Sequence, residues 1–170
     1  MFVEKLSGHG DLNFVLIHNA GGSHQFFTHQ VAMLKKHGDV LCLDLPGHGE
    51  SGSAQHGGIE ETSVLISEIC REQALSNVCL IGLNNGGNIA LDIASKALVP
   101  VERLVLIDPP LFMDEKFVGE VEDFINTLNQ VDCEPFIKGL VDALSVQTSK
   151  ANKQIAFDAF NSADKPSLQA

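Results

Sequence analysis

The stretch Val78-Cys79-Leu80-Ile81-Gly82-Leu83-Asn84-Asn85-Gly86-Gly87 joins an apolar run to a helical pattern through a glycine-rich turn. A strand that turns this sharply into a helix crowds its own backbone, and the glycines on both sides of Asn84 remove the Cβ clashes. The turn then displays Asn84 at the carboxyl end of a sheet, before a helix that begins near Asn88. Backbone N–H groups and the helix dipole favour a developing oxyanion there, so the stretch predicts a nucleophile elbow.

A second interpretation of the same stretch is a glycine-rich turn that binds phosphate or simply packs closely. The spacing does not match G-x-G-x-x-G, and no Lys-Ser or Lys-Thr pair follows as in a P-loop. The elbow is therefore favoured, and the phosphate or packing turn stays the alternative on this stretch alone.

Four short apolar runs, rich in β-branched residues, lack polar alternation and therefore predict parallel strands covered by helices on both faces. The predicted strands span residues 13–18, 39–45, 78–83 and 102–108. Helical patterns separate them, among them one marked by Val64, Leu65 and Ile69. The alternation predicts an α/β fold with an open, mostly parallel sheet and an additional edge strand near residues 2–6.

After residue 110 the strand pattern stops and only helical patterns follow. Apolar residues at helical spacing mark three helices, which begin near Val118, Phe136 and Ile155. We therefore divide the chain into a partial α/β core, residues 1–110, and a helical cap or lid segment, residues 111–170. The sheet is expected to be incomplete on its C-terminal side.

Two more glycine-containing segments follow the first and second core strands. They are His18-Asn19-Ala20-Gly21-Gly22-Ser23 and Leu43-Asp44-Leu45-Pro46-Gly47-His48-Gly49-Glu50-Ser51. In the first segment, glycines let a backbone N–H face a reacting centre, and a buried His18 would hold the loop. The alternative for this segment is an ordinary βα turn, because such turns often contain glycine.

With these three segments in order, the chain resembles the α/β-hydrolase superfamily, whose members include esterases, dehalogenases, epoxide hydrolases and carbon–carbon bond hydrolases. The first segment is similar to the family's His-Gly-x-Gly oxyanion loop, and the second to its Asp-x-Pro-Gly-x-Gly-x-Ser segment. The resemblance implies a nucleophile at the elbow, two oxyanion-binding N–H groups and an Asp–His pair. By position, Asn84 stands at the nucleophile site, and the backbone N–H groups of Asn85 and Ala20 form the oxyanion hole.

A small-molecule substrate or ligand is expected to bind among the loops that surround the elbow. The expected lining residues are His18, Asn19, Gly21, Gly22, His24, His48 and Pro110. Lone loop histidines such as His24 and His48 are otherwise usually solvated. Asp108 is a candidate acid, because some members of the superfamily place the acid at that strand end. The favoured alternative for Asp108 is a cap of the turn into Pro109-Pro110.

Two departures from the family's pattern bear on activity. Asn84 carries a carboxamide, which no neighbouring histidine can activate by removing a proton. All seven histidines lie within the first 56 residues, whereas the family's catalytic histidine lies far beyond the elbow. We therefore expect a hydrolase of ester, acyl, C–C or C–X bonds that is truncated and, as given, inactive.

Two other interpretations of the whole chain stay open. The first is a non-catalytic relative that binds a small molecule or a protein, which the carboxamide of Asn84 favours. The second is a hydrolase whose Asn84 converts to Asp, which is weakened because Asn85-Gly86 is the more labile site.

Charge excludes some classes of partner. The chain has 170 residues, with 11 Lys+Arg against 22 Asp+Glu and a net charge of −11. Such a chain repels phosphate backbones and anionic lipid, so we expect neither nucleic acid nor a membrane as partner. The open edge of the strand at 102–108 predicts self-association instead, because unpaired N–H and C=O groups attract another strand.

The four cysteines form no CxxC pair and show no metal-ligand spacing, so we expect no metal and no cofactor. The first twenty residues include Glu4, Lys5 and Asp11, so they offer no signal-peptide core, and no apolar run approaches bilayer length. These features predict a cytoplasmic protein.

Overall fold

Five strands form the sheet at the centre of the fold, in a computed structural model that describes most of the chain. The described residues are 1–52, 58–112, 114–128, 133–144 and 148–163. The strands are β1 (Val3–Leu6), β2 (Leu12–Ile17), β3 (Gly38–Leu43), β4 (Val78–Leu83) and β5 (Val101–Ile107). Their order is β1-β3-β2-β4-β5, with β2 to β5 parallel and β1 antiparallel to β3. The predicted α/β class, the four parallel strands and the edge strand are confirmed.

Helices cover both faces of the sheet, which explains why the strands lack polar alternation. They are α1 (Thr28–Leu34), which follows a 3₁₀ helix at His24–Phe27, α2 (Ile59–Glu72) and α3 (Asn85–Ser95). On one face Val15 and Ile17 of β2 pack in a cluster with residues of α2 and α3. On the other face Phe14 and Leu16 pack with Phe27 and residues of α1. Each core strand is therefore apolar at consecutive positions.

The buried face of α2 differs from the prediction based on Val64, Leu65 and Ile69. Val64 is 46% exposed, whereas Ser63 and Ser67 are fully buried against α3. Ser67 Oγ donates to Ser63 O at 2.7 Å, and Ser63 Oγ donates to Ile89 O at 3.3 Å. Because these small hydroxyls are satisfied by helix carbonyls, they can replace apolar residues at the interface.

Three helices follow β5, namely α4 (Glu115–Leu128), α5 (Glu134–Leu144) and α6 (Lys150–Ser162). They bury a separate apolar cluster centred on Leu128, Ile137 and Val141. A bond of 3.1 Å between His29 Nε2 and Asn152 Oδ1 joins α6 to α1. The division into a core at 1–110 and a cap at 111–170 stays a prediction, and part of 111–170 lies outside the described residues.

In the described part of the chain, β5 forms the edge of the sheet opposite β1. Two of its apolar side chains, those of Val105 and Ile107, are each 42% exposed. The opposite face of β5 carries Leu104 and Leu106, which pack against the core. This edge therefore presents both unpaired backbone groups and exposed apolar side chains.

Candidate active site

The elbow lies between β4 and α3, with Asn84 at its apex. Asn84 has φ 49° and ψ −115°, in the region that non-glycine residues rarely adopt, and its side chain is exposed. Its N–H donates to Ile107 O at 2.8 Å, and its carbonyl accepts from Gly87 N at 2.8 Å. The predicted strained turn is confirmed. The helix, however, begins at Asn85 rather than near Asn88, because its first turn is part of the elbow itself.

The glycines of the elbow are required by close backbone approach. A Cβ on Gly86 would overlap the carbonyl oxygens of Ile17 and His18, and a Cβ on Gly82 would overlap Gly86 O. The backbone at the start of α3 therefore lies directly against the end of β2. This contact brings the elbow beside the loop that begins at His18.

His18 holds that loop from within the core. It is fully buried, its Nδ1 lies 2.7 Å from Asn19 O, and its Nε2 accepts from Leu45 N at 2.9 Å. Since Nε2 accepts, the proton is on Nδ1, which donates to Asn19 O. Burial lowers the pKa of His18 to about 4, so the ring is neutral at neutral pH. The expected buried His18 is confirmed, and it joins the loop to the segment after β3.

His48 makes a second connection of the same kind. It is buried, its Nδ1 lies 2.9 Å from Pro46 O, and its Nε2 accepts from Gly21 N at 2.9 Å. The ring centroids of His18 and His48 are 5.2 Å apart. The interpretation of His48 as a solvated loop residue is therefore wrong, because its ring satisfies backbone groups of both loops.

Asp44 is a buried residue of the site that the sequence reasoning missed. Its carboxylate accepts from His24 N at 2.6 Å and from Glu50 N at 2.8 Å. His24 Nδ1 lies 2.9 Å from Asp44 Oδ2, so His24 is also not a freely solvated residue. The available signal was the acidic residue placed directly after an apolar strand. Asp44 ties the 3₁₀ helix to the segment after β3.

The two backbone groups predicted to form the oxyanion hole belong to the two segments that meet where Gly86 approaches the carbonyl oxygens of Ile17 and His18. Asn85 is the first residue of α3, so its N–H has no partner within the helix. Ala20 lies in the loop, where its carbonyl accepts from Asn19 Nδ2 at 2.8 Å. Asn19 Oδ1 is buried without a hydrogen-bond partner among the described protein atoms, beside Gly22. The arrangement offers donors and an acceptor to a polar ligand.

Asp108 and Pro110 lie at the end of β5, next to the elbow. Asn84 Nδ2 donates to Asp108 O at 3.3 Å, and Asn88 Nδ2 donates to Pro110 O at 3.4 Å. Asp108 is exposed, has φ 50°, and its carboxylate makes no hydrogen bond to the described residues. The turn-cap interpretation of the Asp108 side chain therefore lacks the bond it requires.

Phe160 of α6 also contacts the site, and no sequence signal indicated it. Its ring occupies the space where a Cβ on Gly21 would lie, and Gly21 has φ 74°. Glycine at this position therefore lets α6 pack directly on the loop. The contact connects the C-terminal helices to the residues around Ala20.

The described residues contain neither a candidate metal-binding cluster nor a candidate membrane span. No group of three or more His, Cys, Asp or Glu residues there could hold a metal ion. Among those residues, no helix has the length and apolar character that crossing a bilayer requires.

Comparison with known proteins places the chain among hydrolase-like folds. A family model described as alpha/beta hydrolase fold matches residues 13–167. An esterase structure from Exiguobacterium antarcticum superposes with a TM-score of 0.85 and 20% identity, covering 98% of this chain and 66% of that chain. At this identity the likeness shows the fold alone.

Two curated relatives share more sequence with the chain. The first is the dihydrolipoyllysine-residue acetyltransferase component of the acetoin cleaving system of Pseudomonas putida. It is 34% identical over 106 residues, which cover 61% of this chain and 28% of that protein. The second is the 2-succinyl-6-hydroxy-2,4-cyclohexadiene-1-carboxylate synthase of Photorhabdus laumondii, 34% identical over 142 residues, or 81% of this chain and 51% of that protein. The chain thus spans about half or less of these relatives.

Gly86→Ala is expected to destabilise the fold, because the added Cβ meets the backbone of Ile17 and His18. Overpacking of this kind costs about 1–3 kcal/mol in unfolding free energy. The control is Gly139→Ala in α5, where the new Cβ would contact nothing among the described residues beyond its own stretch of helix. That variant should gain about 0.5–1 kcal/mol from helix propensity. Urea unfolding measures both, and equal effects of the two variants would refute the close contact.

The buried neutral His18 predicts a pH-dependent stability. Its pKa is about 4 when folded and about 6.5 when unfolded, so the unfolded chain binds more protons between these values. The free energy of unfolding therefore falls as pH decreases from 6.5 to 4, by on the order of 3 kcal/mol from this residue. His18→Gln should reduce that slope in urea unfolding, and the exposed His9→Gln should not.

NMR of the unmodified chain tests the same assignment without a variant. The His18 ring should keep the Nδ1–H tautomer and show no titration between pH 5.5 and 7.5. A midpoint near the ordinary value would contradict the neutral buried ring.

Proposed function

The chain belongs to the alpha/beta hydrolase fold family, and from that premise we propose that its elbow binds the carbonyl oxygen of an ester or related acyl compound without hydrolysing it. The observation that carries the proposal is the position of Asn84, at φ 49° directly before α3. This strained turn before a helix supports an elbow, and the side chain at its apex is a carboxamide.

Binding is supported by the donors around the elbow. The N–H of Asn85 points from the start of a helix, where the helix dipole favours partial negative charge. The loop from His18 to Gly22 lies against the same backbone through Gly86. A carbonyl oxygen between the two would accept from Asn85 and from Ala20, as an oxyanion does in acyl transfer.

Lack of hydrolysis follows from the chemistry of Asn84. A carboxamide nitrogen is not made nucleophilic by a neighbouring imidazole, and Asn84 Nδ2 already donates to Asp108 O. His18 and His48 bond backbone groups of the loops, and His24 contacts the carboxylate of Asp44. These rings hold the loops in place rather than activate an attacking group.

The competing function is hydrolysis of the same class of compound. It is supported by the family to which the chain belongs. It requires an attacking group other than the Asn84 side chain, such as a water molecule activated by the exposed carboxylate of Asp108.

The purified chain is expected to release 4-nitrophenolate from 4-nitrophenyl butyrate no faster than buffer does. Asn84→Ser alone should add little, because loss of triad partners costs on the order of 10⁴-fold in rate. The matched control is Asn126→Ser, which changes an exposed asparagine of α4 outside the elbow. Turnover by the unmodified chain that Asp108→Asn abolishes and Asn126→Ser preserves would refute the proposal and establish the competing function.

Binding is followed separately by NMR with the same ester. Its addition should shift the backbone amides of Asn85 and Ala20 in a saturable way. The matched ether, 1-butoxy-4-nitrobenzene, lacks the carbonyl and should leave the chemical shifts of both amides unchanged. Equal shifts with the ether would show that the carbonyl is not the recognised group.

We also propose that two copies of the chain pair through the edge of β5, as its exposed Val105 and Ile107 favour. Light scattering after size exclusion should show a mass that rises with protein concentration. Val105→Lys should abolish the rise, because a charge at an edge strand opposes pairing. Val64→Lys on the exposed side of α2 should leave the rise in mass with concentration unchanged. A single monomer mass over the whole series would contradict pairing.

A further inference from the structure

A cavity of about 560 Å³ lies between α5 and α6, and no residue of the elbow lines it. This volume is in the range of small-molecule sites. Its walls come from one side of each helix, including Lys138 and Val141 of α5 and Lys150 and Phe157 of α6. We call it the cap cavity.

The cap cavity concentrates positive charge in a strongly acidic chain. Three of the 11 Lys and Arg residues line it, namely Lys138, Lys150 and Lys153. Lys153 pairs with Asp142 at 2.9 Å. Within the described ranges, neither Lys138 nor Lys150 has a carboxylate at ion-pair distance. With Glu134 and Asp142 as the lining carboxylates, one positive charge remains in excess.

The lysines of α6 stand where a helix disfavours cations. Lys150 and Lys153 lie in its first turn, which contains no acidic residue. The positive end of the helix dipole repels both. The ion pair with Asp142 offsets this repulsion for Lys153, whereas Lys150 has no such partner in the described part of the chain. Departures from local preference are expected at functional or strained sites, and Lys150 makes one beside the cavity.

The cavity also has an apolar wall. Val141 is 4% exposed, and Phe157 packs against the buried cluster of the C-terminal helices. A ligand that contacts both walls therefore needs an anionic group and a hydrocarbon body. Inorganic anions would leave the apolar wall uncovered.

We propose that the cap cavity binds a medium-chain carboxylate. Its carboxylate lies between Lys138 and Lys150, and its hydrocarbon chain lies against Val141 and Phe157. The binding is independent of the elbow and of the function proposed there.

Octanoate serves as the probe, in titrations of the full chain followed by calorimetry and by NMR. Octanoate should bind at one site and shift the backbone amide resonances of α5 and α6. The neutral isostere 1-octanol and inorganic phosphate, which each supply half of the recognised chemistry, should bind at least 10-fold more weakly. Equal binding of either control compound would overturn the proposal.

Lysine variants test whether octanoate binds in the cap cavity. Lys138→Gln combined with Lys150→Gln should weaken octanoate at least 10-fold, and both side chains are exposed, so the fold should persist. Lys116→Gln on α4 removes the same charge outside the cavity and should leave affinity unchanged. If Lys116→Gln weakens binding equally, or if the shifts map to the elbow, the cap cavity is not the site.

Discussion

The close approach of the Gly86 backbone to the carbonyl oxygens of Ile17 and His18 determines where the parts of the site lie. It fixes the first turn of α3 against the end of β2, and so sets the position of the Asn85 N–H relative to the loop that contains Ala20. Because β2 and β4 are adjacent parallel strands, their carboxyl ends meet at the same edge of the sheet. The elbow can form only where no side chain intervenes between these backbones.

A buried polar network then holds the loops around this contact. His18 and His48 connect the loop after β2 to the segment after β3, and Asp44 connects that segment to the 3₁₀ helix. Buried polar groups are costly unless satisfied, and here each ring bonds one backbone carbonyl and one backbone N–H. None of these bonds involves the side chain of Asn84. The scaffold is therefore held without any contribution from the apex side chain. In the function proposed here, this separates the binding of a carbonyl from the chemistry of attacking it.

The sequence predicted the sheet well because burial on both faces makes each core strand continuously apolar. The elbow was predicted because close backbone contact permits only glycine at Gly82 and Gly86. Sequence reasoning failed where a residue's partners are distant in the chain. The bonds of Asp44 to His24, the ring of Phe160 on Gly21 and the bond of His48 to Gly21 depend on tertiary contacts that no local pattern encodes. The buried face of α2 was missed because Ser63 and Ser67 satisfy their hydroxyls on helix carbonyls and so behave as small core residues.

A crystal structure of the chain soaked with 4-nitrophenyl butyrate tests the account most directly. The account predicts an intact ester at the elbow, with its carbonyl oxygen about 3 Å from the backbone nitrogens of Asn85 and Ala20. Asn84 should keep its left-handed φ and make no covalent bond to the ester. Cleaved products at the elbow, or an intact ester bound away from Asn85, would contradict it.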